Sequence, residues 1–569
     1  MSMKKLFSSK YWWILLLIVL VAVNYLASQF HYRFDLTEEK RYTLSEPTKK
    51  LLRNLDDQVN IRFFLDGEMP APFKNLSNET KELLYEFREL GKGNIRLTFG
   101  RPGEGLDDTA RIDYINYITD SLGLNPTNVQ VQASAGESQE ERLVYPGAVI
   151  EYKGVELAVN LLEGQNMSGG YQTLNNAEAL LEYRFANAIQ KITTDSVAVI
   201  GYLLGNGQSI SYNVYDLIEN TIKPRYGFGF APIDSFPVIP LQFDAVMIVK
   251  PTTPFNDDQK LKIDQYVMNG GKVIWLIDQL YAEMDSLVRA QSDFVAFDRG
   301  LNADDLLFKY GVRINQDLVQ DIKCDKLPQV VGSFGDKPQV ELIPWPYFPL
   351  LSSYSGHPIS KNLDDVLSIF PNSIDTVKAD GIRKTVLLAT SSASRSLSTP
   401  AIVTLNSAKT REEVSTFKRA NIPVAMLLEG RFSSLYSNRL AKAKADSLAA
   451  VGQPFRNSSD ENGKMIVISD ADIVSNVVTQ KEGPLTMGQN QFTQYTYANR
   501  DFILNCIEYL TNPSGILETR SKDFTLRLLD PKKVDSSKTM WQVLNILIPM
   551  TVIVLFGLVY QLIRRRRYQ

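Results

Sequence analysis

The sequence predicts an α/β protein: an exported multi-domain body built on doubly wound parallel sheets and anchored by one transmembrane helix at each end. Three observations carry this. Apolar runs close both ends of the 569-residue chain, from Tyr11 to about Phe30 and from Trp541 to Ile563. Short, almost continuously apolar segments such as Ser196 to Leu204, bounded by Gly205-Asn206-Gly207-Gln208, suit strands buried on both faces of a parallel sheet. Finally, Phe243 to Ile277 reads as strand, helix and strand in succession, the repeat unit of parallel α/β folds.

Each terminal run approaches the roughly 20 residues a helix needs to cross a bilayer's hydrocarbon. Residues 31–540 contain no third run of this kind. Lys4, Lys5 and Lys10 before the first span are balanced by Arg33, Lys40 and Arg41 after it. The second span is asymmetric, with Arg564, Arg565, Arg566 and Arg567 facing only Lys532, Lys533 and Lys538. Basic residues at span ends favour the cytoplasm. The expected topology therefore has residues 1–10 cytoplasmic, a helix over 11–30, the body exported to the periplasm, a helix over 541–563 and an Arg-rich cytoplasmic tail over 564–569. In a bacterium this is an inner-membrane protein. Asn24-Tyr25-Leu26-Ala27-Ser28-Gln29 offers no clear small-residue cleavage site, so the first run reads as an uncleaved anchor. Asn24, Asn545 and Pro549 lie inside the spans; such residues face another helix more often than lipid, and they predict helical membrane partners.

The first exported domain spans 31–165. Ser45 caps a short helix with Pro47 in its first turn. Gln58 to Leu65, Leu76 to Leu90 and Asn94 to Phe99 form a β-α-β unit with parallel strands. Asn128 to Ala133, Ala148 to Tyr152 and Val155 to Val159 are strands, the last two joined by a Lys153-Gly154 hairpin turn. A second domain, 166–320, opens with a long helix from about Asn176 to Ile192 and continues as a doubly wound sheet. Its clearest element is the helix that Asn256 caps, that Asp257 and Asp258 favour electrostatically, and that Gly270-Gly271 stops. Residues 321–523 read as further α/β structure with long loops. Here Pro344-Trp345-Pro346-Tyr347-Phe348-Pro349 argues against a central strand, and Ser391 to Ser398 reads as loop. Strands fall at Thr385 to Ala389, Pro423 to Leu428 and Lys464 to Ser469, and a helix at Asn499 to Thr511. Residues 524–540 are a polar linker.

Composition excludes several functions. With 44% hydrophobic and 22% charged residues and a net charge of −3, the chain is neither broadly disordered nor a nucleic-acid-binding protein. Its two cysteines, Cys324 and Cys506, are too far apart to read as a redox or metal pair, and Cys506 has helix-core spacing with Ile503, Ile507 and Leu510. There are two histidines, so His357 in Gly356-His357-Pro358 is the sole plausible general base. No phosphate-loop signature occurs, and Gly270-Gly271-Lys272 is a helix stop before a strand. The expectation is a non-enzyme without cofactor or metal.

One constellation keeps a binding role. In open α/β sheets, ligands sit beyond the carboxyl ends of the strands. Those ends deliver Asn206 and Gln208 from the first strand, Lys250 from the second, Asp278 from the third, and Asp470 and Asp472 after Lys464 to Ser469. The competing reading makes these turn residues, with aspartates capping the next turn of the chain. The 344–349 segment has a similar pair of readings, a docking surface or a loop folded onto the core.

The segment Arg41-Tyr42-Thr43-Leu44-Ser45-Glu46-Pro47-Thr48, the Asn187-Ala188-Ile189 helix before Val197-Ala198-Val199-Ile200, and the stretch from Phe243-Asp244-Ala245 through Asn269-Gly270-Gly271 to Asp278 together resemble the auxiliary proteins of uncharacterised ABC transport systems. With an anchor at each end and the Arg-rich tail, the chain is most similar to the gliding-motility-associated GldG group of the Bacteroidetes. Relatives often carry Gly-His-Gly-Glu where Gly205-Asn206-Gly207-Gln208 stands here, and losing both titratable side chains argues against catalysis at that loop. The middle domain also resembles amidotransferase-like folds, without a nucleophilic cysteine. The resemblance implies a polytopic ABC permease and a cytoplasmic ATPase as partners in a hetero-oligomeric complex supporting gliding motility and protein secretion. The alternative is a membrane-tethered carbohydrate-active enzyme or glycan-binding protein; an enzyme of that class would need two carboxyls about 5–10 Å apart in a pocket.

Overall fold

The computed structural model describes residues 17–21, 24, 43–67, 69–132, 139–162, 171–194, 196–290, 293–334, 337–405, 410–521 and 531–568. They fall into two compact units, one ending at Lys522 and one beginning at Asp523.

The first unit opens with helix α1 (Glu46–Arg53), whose first turn the Ser45 hydroxyl caps by accepting from the Thr48 N–H at 3.4 Å. Strands β1 (Val59–Phe63) and β2 (Ile95–Phe99) pair in parallel across helix α2 (Ala71–Leu90). β3 (Gly147–Tyr152) runs antiparallel to β1 and turns through Lys153-Gly154 into β4 (Val155–Asn160). Lys153 and Gly154 both take positive φ, which lets two residues reverse the chain. The sheet order is β2-β1-β3-β4. Thr127–Gln132 pairs instead with Gln139–Val144 as a separate hairpin.

The single helix expected over 176–192 is two helices, α3 (Tyr171–Ala179) and α4 (Leu181–Thr193). The Leu180 N–H bonds the Ala177 carbonyl at 3.2 Å, a tightened i→i−3 turn that interrupts the α ladder. Leu174, Leu181, Phe185 and Ile189 from these helices pack with Leu52, Leu84 and Phe87 over Ile61, Phe63 and Ile150 of the four-stranded sheet.

A ten-stranded sheet dominates the remainder of this unit, with smaller sheets beside it. Its strands are β5 (Val199–Leu204), β6 (Gly227–Pro232), β7 (Ala245–Val249), β8 (Val273–Leu276), β9 (Cys324–Phe334), β10 (Lys337–Ser353), β11 (Ile382–Ala389), β12 (Pro423–Gly430) and β13 (Gly463–Ile468), with Val366–Leu367 added beside β10. The order is β9-β10-β11-β12-β13-β8-β7-β5-β6. From β6 to β13 every neighbouring pair is parallel; from β13 outward the pairs are antiparallel. In chain order the parallel strands lie 2-1-3-4-5, the doubly wound arrangement with its switch point between β5 and β7.

Both faces of that parallel half are covered, which explains its unbroken apolar runs. Leu203, Val246, Ile248, Trp275 and Val467 point to helices α5 (Asp257–Met268) and α6 (Asp304–Tyr310). Tyr202, Met247, Ile274 and Ile466 point to α7 (Asn499–Thr511), where Phe502, Ile503, Cys506 and Ile507 are buried. Asn256 and Gln259 close a reciprocal capping box on α5, at 2.9 and 3.0 Å. Cys324 and Cys506 are free thiols.

Two further expectations are corrected, and the structure decides between the two readings of the 344–349 segment. The 344–349 segment lies within strand β10, because pairing of β10 to β11 is confined to Ser352 and Ser353 and the prolines leave no second ladder short of donors. Its Trp345 and Tyr347 are buried against Phe348 and Phe370, so this is core and not a docking surface. Ser394–Ser398 is a strand paired antiparallel with Asp317–Asp321; the Asp321 carboxylate accepts from the Ser391 N–H and hydroxyl, both at 2.6 Å, and pins the entry. Part of the expected 524–540 linker is already helix.

The second unit is helix α8 (Pro531–Tyr568). Its segment Met540–Arg566 is long and apolar enough to cross a membrane, and no part of the most apolar stretch is buried against protein. Most of the first expected span, 11–30, lies outside the described residues; 17–21 and 24 are helical.

Candidate functional site

Parallel pairing aligns the carboxyl ends of β7, β8 and β13, so residues distant in sequence emerge side by side. Lys250 follows β7 and donates its N–H to Leu276 at 2.9 Å, one last ladder bond in a positive-φ conformation (46°). That uncommon backbone state aims its side chain back across the strand ends. Its ammonium lies 2.6 Å from Asp472 Oδ1, 3.2 Å from Asp278 Oδ2 and 3.3 Å from Glu283 Oε2. Arg299 pairs with the other oxygen of Glu283 and stands over the Tyr281 ring at 5.1 Å.

Backbone donors hold the acids in place. Asp278 Oδ1 accepts from Ala471 N–H at 2.6 Å, and Asp470 Oδ1 from Asp472 N–H at 2.7 Å. Asp470 Oδ2 accepts from Ile369 N–H at 2.6 Å and from the Ser368 hydroxyl. Asp278 Oδ2 has no hydrogen bond of good geometry although it stands within ion-pair distance of Lys250. Its tie to the lysine is therefore Coulombic, whereas Asp472 Oδ1 accepts a hydrogen bond from Lys250.

Burial pushes the Asp278 and Asp470 carboxyls above the ordinary aspartate range, Asp470 strongly, with neighbouring aspartates adding to the rise. Burial alone would pull Lys250 down, but Asp472, Asp278 and Glu283 together hold it well above the usual lysine value. Carboxylate oxygens of Asp278, Asp470 and Asp472 lie within 4.8 Å of one another, a spacing suited to a hard cation. Lys250 already stands within ion-pair distance of two of the three.

A cavity of about 470 Å³ opens beside the cluster, and Glu283 and Arg299 line it. Tyr281 and Phe297 stack there at 5.3 Å.

The loop after β5 behaves differently. Asn206 and Gln208 are buried, but they bond within the protein and do not join the cluster. Asn206 Nδ2 donates to Gln259 Oε1 at 2.9 Å and to the Pro254 carbonyl at 3.2 Å, and Gln208 Oε1 accepts from Asn206 N–H at 2.8 Å. Gly207, at φ +76°, has no room for a Cβ, which would stand 2.0 Å from Thr252 Oγ1. These are loop-locking residues. Of the strand-end residues singled out in the sequence, the structure thus unites Lys250, Asp278, Asp470 and Asp472 and sets Asn206 and Gln208 apart.

Glu283 and Arg299 escaped the sequence reading. They follow the short strands Leu280–Tyr281 and Phe294–Asp298, which the sequence does not announce, so nothing in the sequence tied them to the strand-end cluster. His357 packs edge-on against Tyr509 at 4.8 Å, and its Nδ1 accepts from Ile359 N–H at 3.3 Å. Burial pushes its pKa down to about 4, and the Cys324 thiol is pushed up to about 12. Neither side chain is prepared for nucleophilic chemistry. Asn545, Pro549 and Arg564 to Arg566 lie on α8, and Asn24 is helical.

Comparison with known proteins places the site within a family. The family described as "ABC-type uncharacterized transport system" matches residues 198–506, more than half of the chain, from the start of β5 through α7. All the clustered residues fall inside it. A domain of unknown function matches residues 38–151, most of the four-stranded sheet. An "Uncharacterized protein" of Borreliella burgdorferi (strain ATCC 35210 / DSM 4680 / CIP 102532 / B31) is 19% identical over 549 residues, covering 93% of this chain and 92% of that protein. The solved "mmIFT52 N-terminal domain" aligns at a TM-score of 0.30 and 11% identity over 55% of this chain and 98% of its own, a likeness too low to argue from.

Proposed function

We infer, from the premise that this chain belongs to the ABC-type uncharacterized transport system family, that it is a non-catalytic auxiliary subunit of an ABC transporter complex, acting by binding or scaffolding. The observation that carries this reading is the closed ion-pair cluster at the strand ends. Where an α/β enzyme would present reactive groups, Lys250 is neutralised by Asp278, Asp472 and Glu283, and Asp470 is saturated with hydrogen bonds. Such a cluster fixes three loops relative to one another, a property suited to a rigid recognition surface.

In this proposal both ends of the chain are membrane anchors and both termini are cytoplasmic. Arg564 to Arg567 hold the second span in that orientation, and the body, arranged as domains over 31–165, 166–320 and 321–523, lies in the periplasm. The partners are a polytopic permease and a cytoplasmic ATPase, and the resemblance to GldG assigns the complex to gliding motility and associated protein secretion. Asn24, Asn545 and Pro549 are the proposed contacts with other transmembrane helices. The orientation is tested by cysteine labelling in intact cells. An impermeant reagent reaching the periplasm should label Glu482→Cys, which is exposed, and should miss a cysteine appended after Gln569. The reverse pattern refutes the topology.

A further inference from the structure

α8 carries a polar notch that its own ladder cannot fill. In an α-helix the N–H of residue i bonds the carbonyl of residue i−4, and proline has no N–H. Pro549 lies inside α8, so the Asn545 carbonyl loses its intrahelical donor. The Asn545 side chain itself supplies an amide donor and a second acceptor. At 3.6 residues per turn Lys538, Gln542, Asn545 and Pro549 fall within an arc of about 60°. All four are exposed along the helix. Thr551 differs: its hydroxyl donates to the Leu547 carbonyl at 2.7 Å and is satisfied within the helix.

We propose that this notch is a self-association site, and that its occupant is the same helix of a second copy of this chain. The proposal rests on the reading that Met540–Arg566 crosses the membrane. In hydrocarbon an unbonded carbonyl and amide are costly, and water cannot satisfy them. Two copies inserted with the same orientation run parallel, which brings Asn545 level with Asn545. Each copy then offers a surplus acceptor, the freed carbonyl, and the donor that matches it. This self-complementarity favours a second copy, since a different helix would have to present a donor at the same depth. Below the notch, Val552 and Phe556 continue the same face as an apolar seam.

The test uses the full chain in membranes lacking the other transporter subunits, with oxidative cross-linking of Val552→Cys on the seam and Val554→Cys on the opposite face. Dimers should form through Val552→Cys and not through Val554→Cys. Asn545→Leu, which removes the amide, and Pro549→Ala, which restores the N–H to the Asn545 carbonyl, should each lower the dimer fraction about three- to tenfold while insertion is unchanged. Equal cross-linking at both faces, or insensitivity to both substitutions, overturns the proposal. So does a Val552→Cys cross-link that appears only when the permease is co-produced and joins the two proteins, because the notch would then belong to the permease. Loss of dimers with transporter co-purification intact separates this outcome from any failure of the auxiliary-subunit reading.

Discussion

The loop after β5 and the loops after β7, β8 and β13 carry the same sequence signal, polar residues just beyond a buried parallel strand, yet they do different work. The first is uncharged. Asn206 and Gln208 turn inward, bond to backbone and to Gln259, and lock two loops together. The others bring one cation among buried carboxylates. Charge decides the difference: a neutral amide can stay buried with one polar atom unbonded, as Asn206 Oδ1 and Gln208 Nε2 do, whereas an ammonium held away from water requires counter-charges, and here those come from the loops after other strands.

That contrast sets the order of expected effects. Lys250→Met should cause the largest loss, because it leaves the buried Asp278 and the half-buried Asp472 without their counter-ion; breaking a buried pair from one side costs about 3–5 kcal/mol. Chemical unfolding of the detergent-solubilised full chain measures it, and a loss below about 1 kcal/mol would show that the cluster is effectively solvated. Gly207→Ala comes next, at about 2 kcal/mol or more, since the new Cβ meets Thr252 Oγ1 in a positive-φ conformation. Asn206→Ala removes two side-chain hydrogen bonds and should cost about 1–2 kcal/mol. If Asn206→Ala proved more damaging than Lys250→Met, the distinction between the two regions would collapse.

His357 gives a pH signature instead. Its folded pKa of about 4 lies below the ordinary histidine value of 6.5, so between those limits the unfolded chain binds the extra proton. Acidification from pH 6.5 to 4 should therefore destabilise the native chain more than His357→Gln, as thermal unfolding at several pH values would show. A variant with the same pH slope in this window would contradict the buried, neutral imidazole.

Local chemistry was readable in the sequence and long-range pairing was not. Asn256, Asp257 and Gly270 announce α5 because a cap, a dipole preference and a helix stop act within a few residues of one another. Nothing local says that β13 pairs with β8, since between Leu276 and Gly463 the chain first builds β9 to β12, the antiparallel half of the same sheet, before β13 returns beside β8. The cluster was accordingly visible as separate strand ends and not as one site. Ser394–Ser398 looked like loop because serine has low strand preference, and its partner Asp317–Asp321 outweighed that preference. Pro344 to Pro349 excluded a central ladder, in keeping with β10 being paired on only one side there, but the prolines did not announce the one-sided strand itself.

The central claim is that this chain serves a transporter complex without doing chemistry itself. Quantitative purification of the tagged full-length protein from native membranes tests it most directly, comparing the wild type with His357→Ala. The account predicts that the permease and the ATPase co-purify in constant proportion, and that His357→Ala changes neither that proportion nor the function of the complex beyond a few-fold, whereas loss of a true general base removes about 10²–10⁴ in rate. Recovery of the chain alone, or abolition of function by His357→Ala with the complex intact, would contradict it.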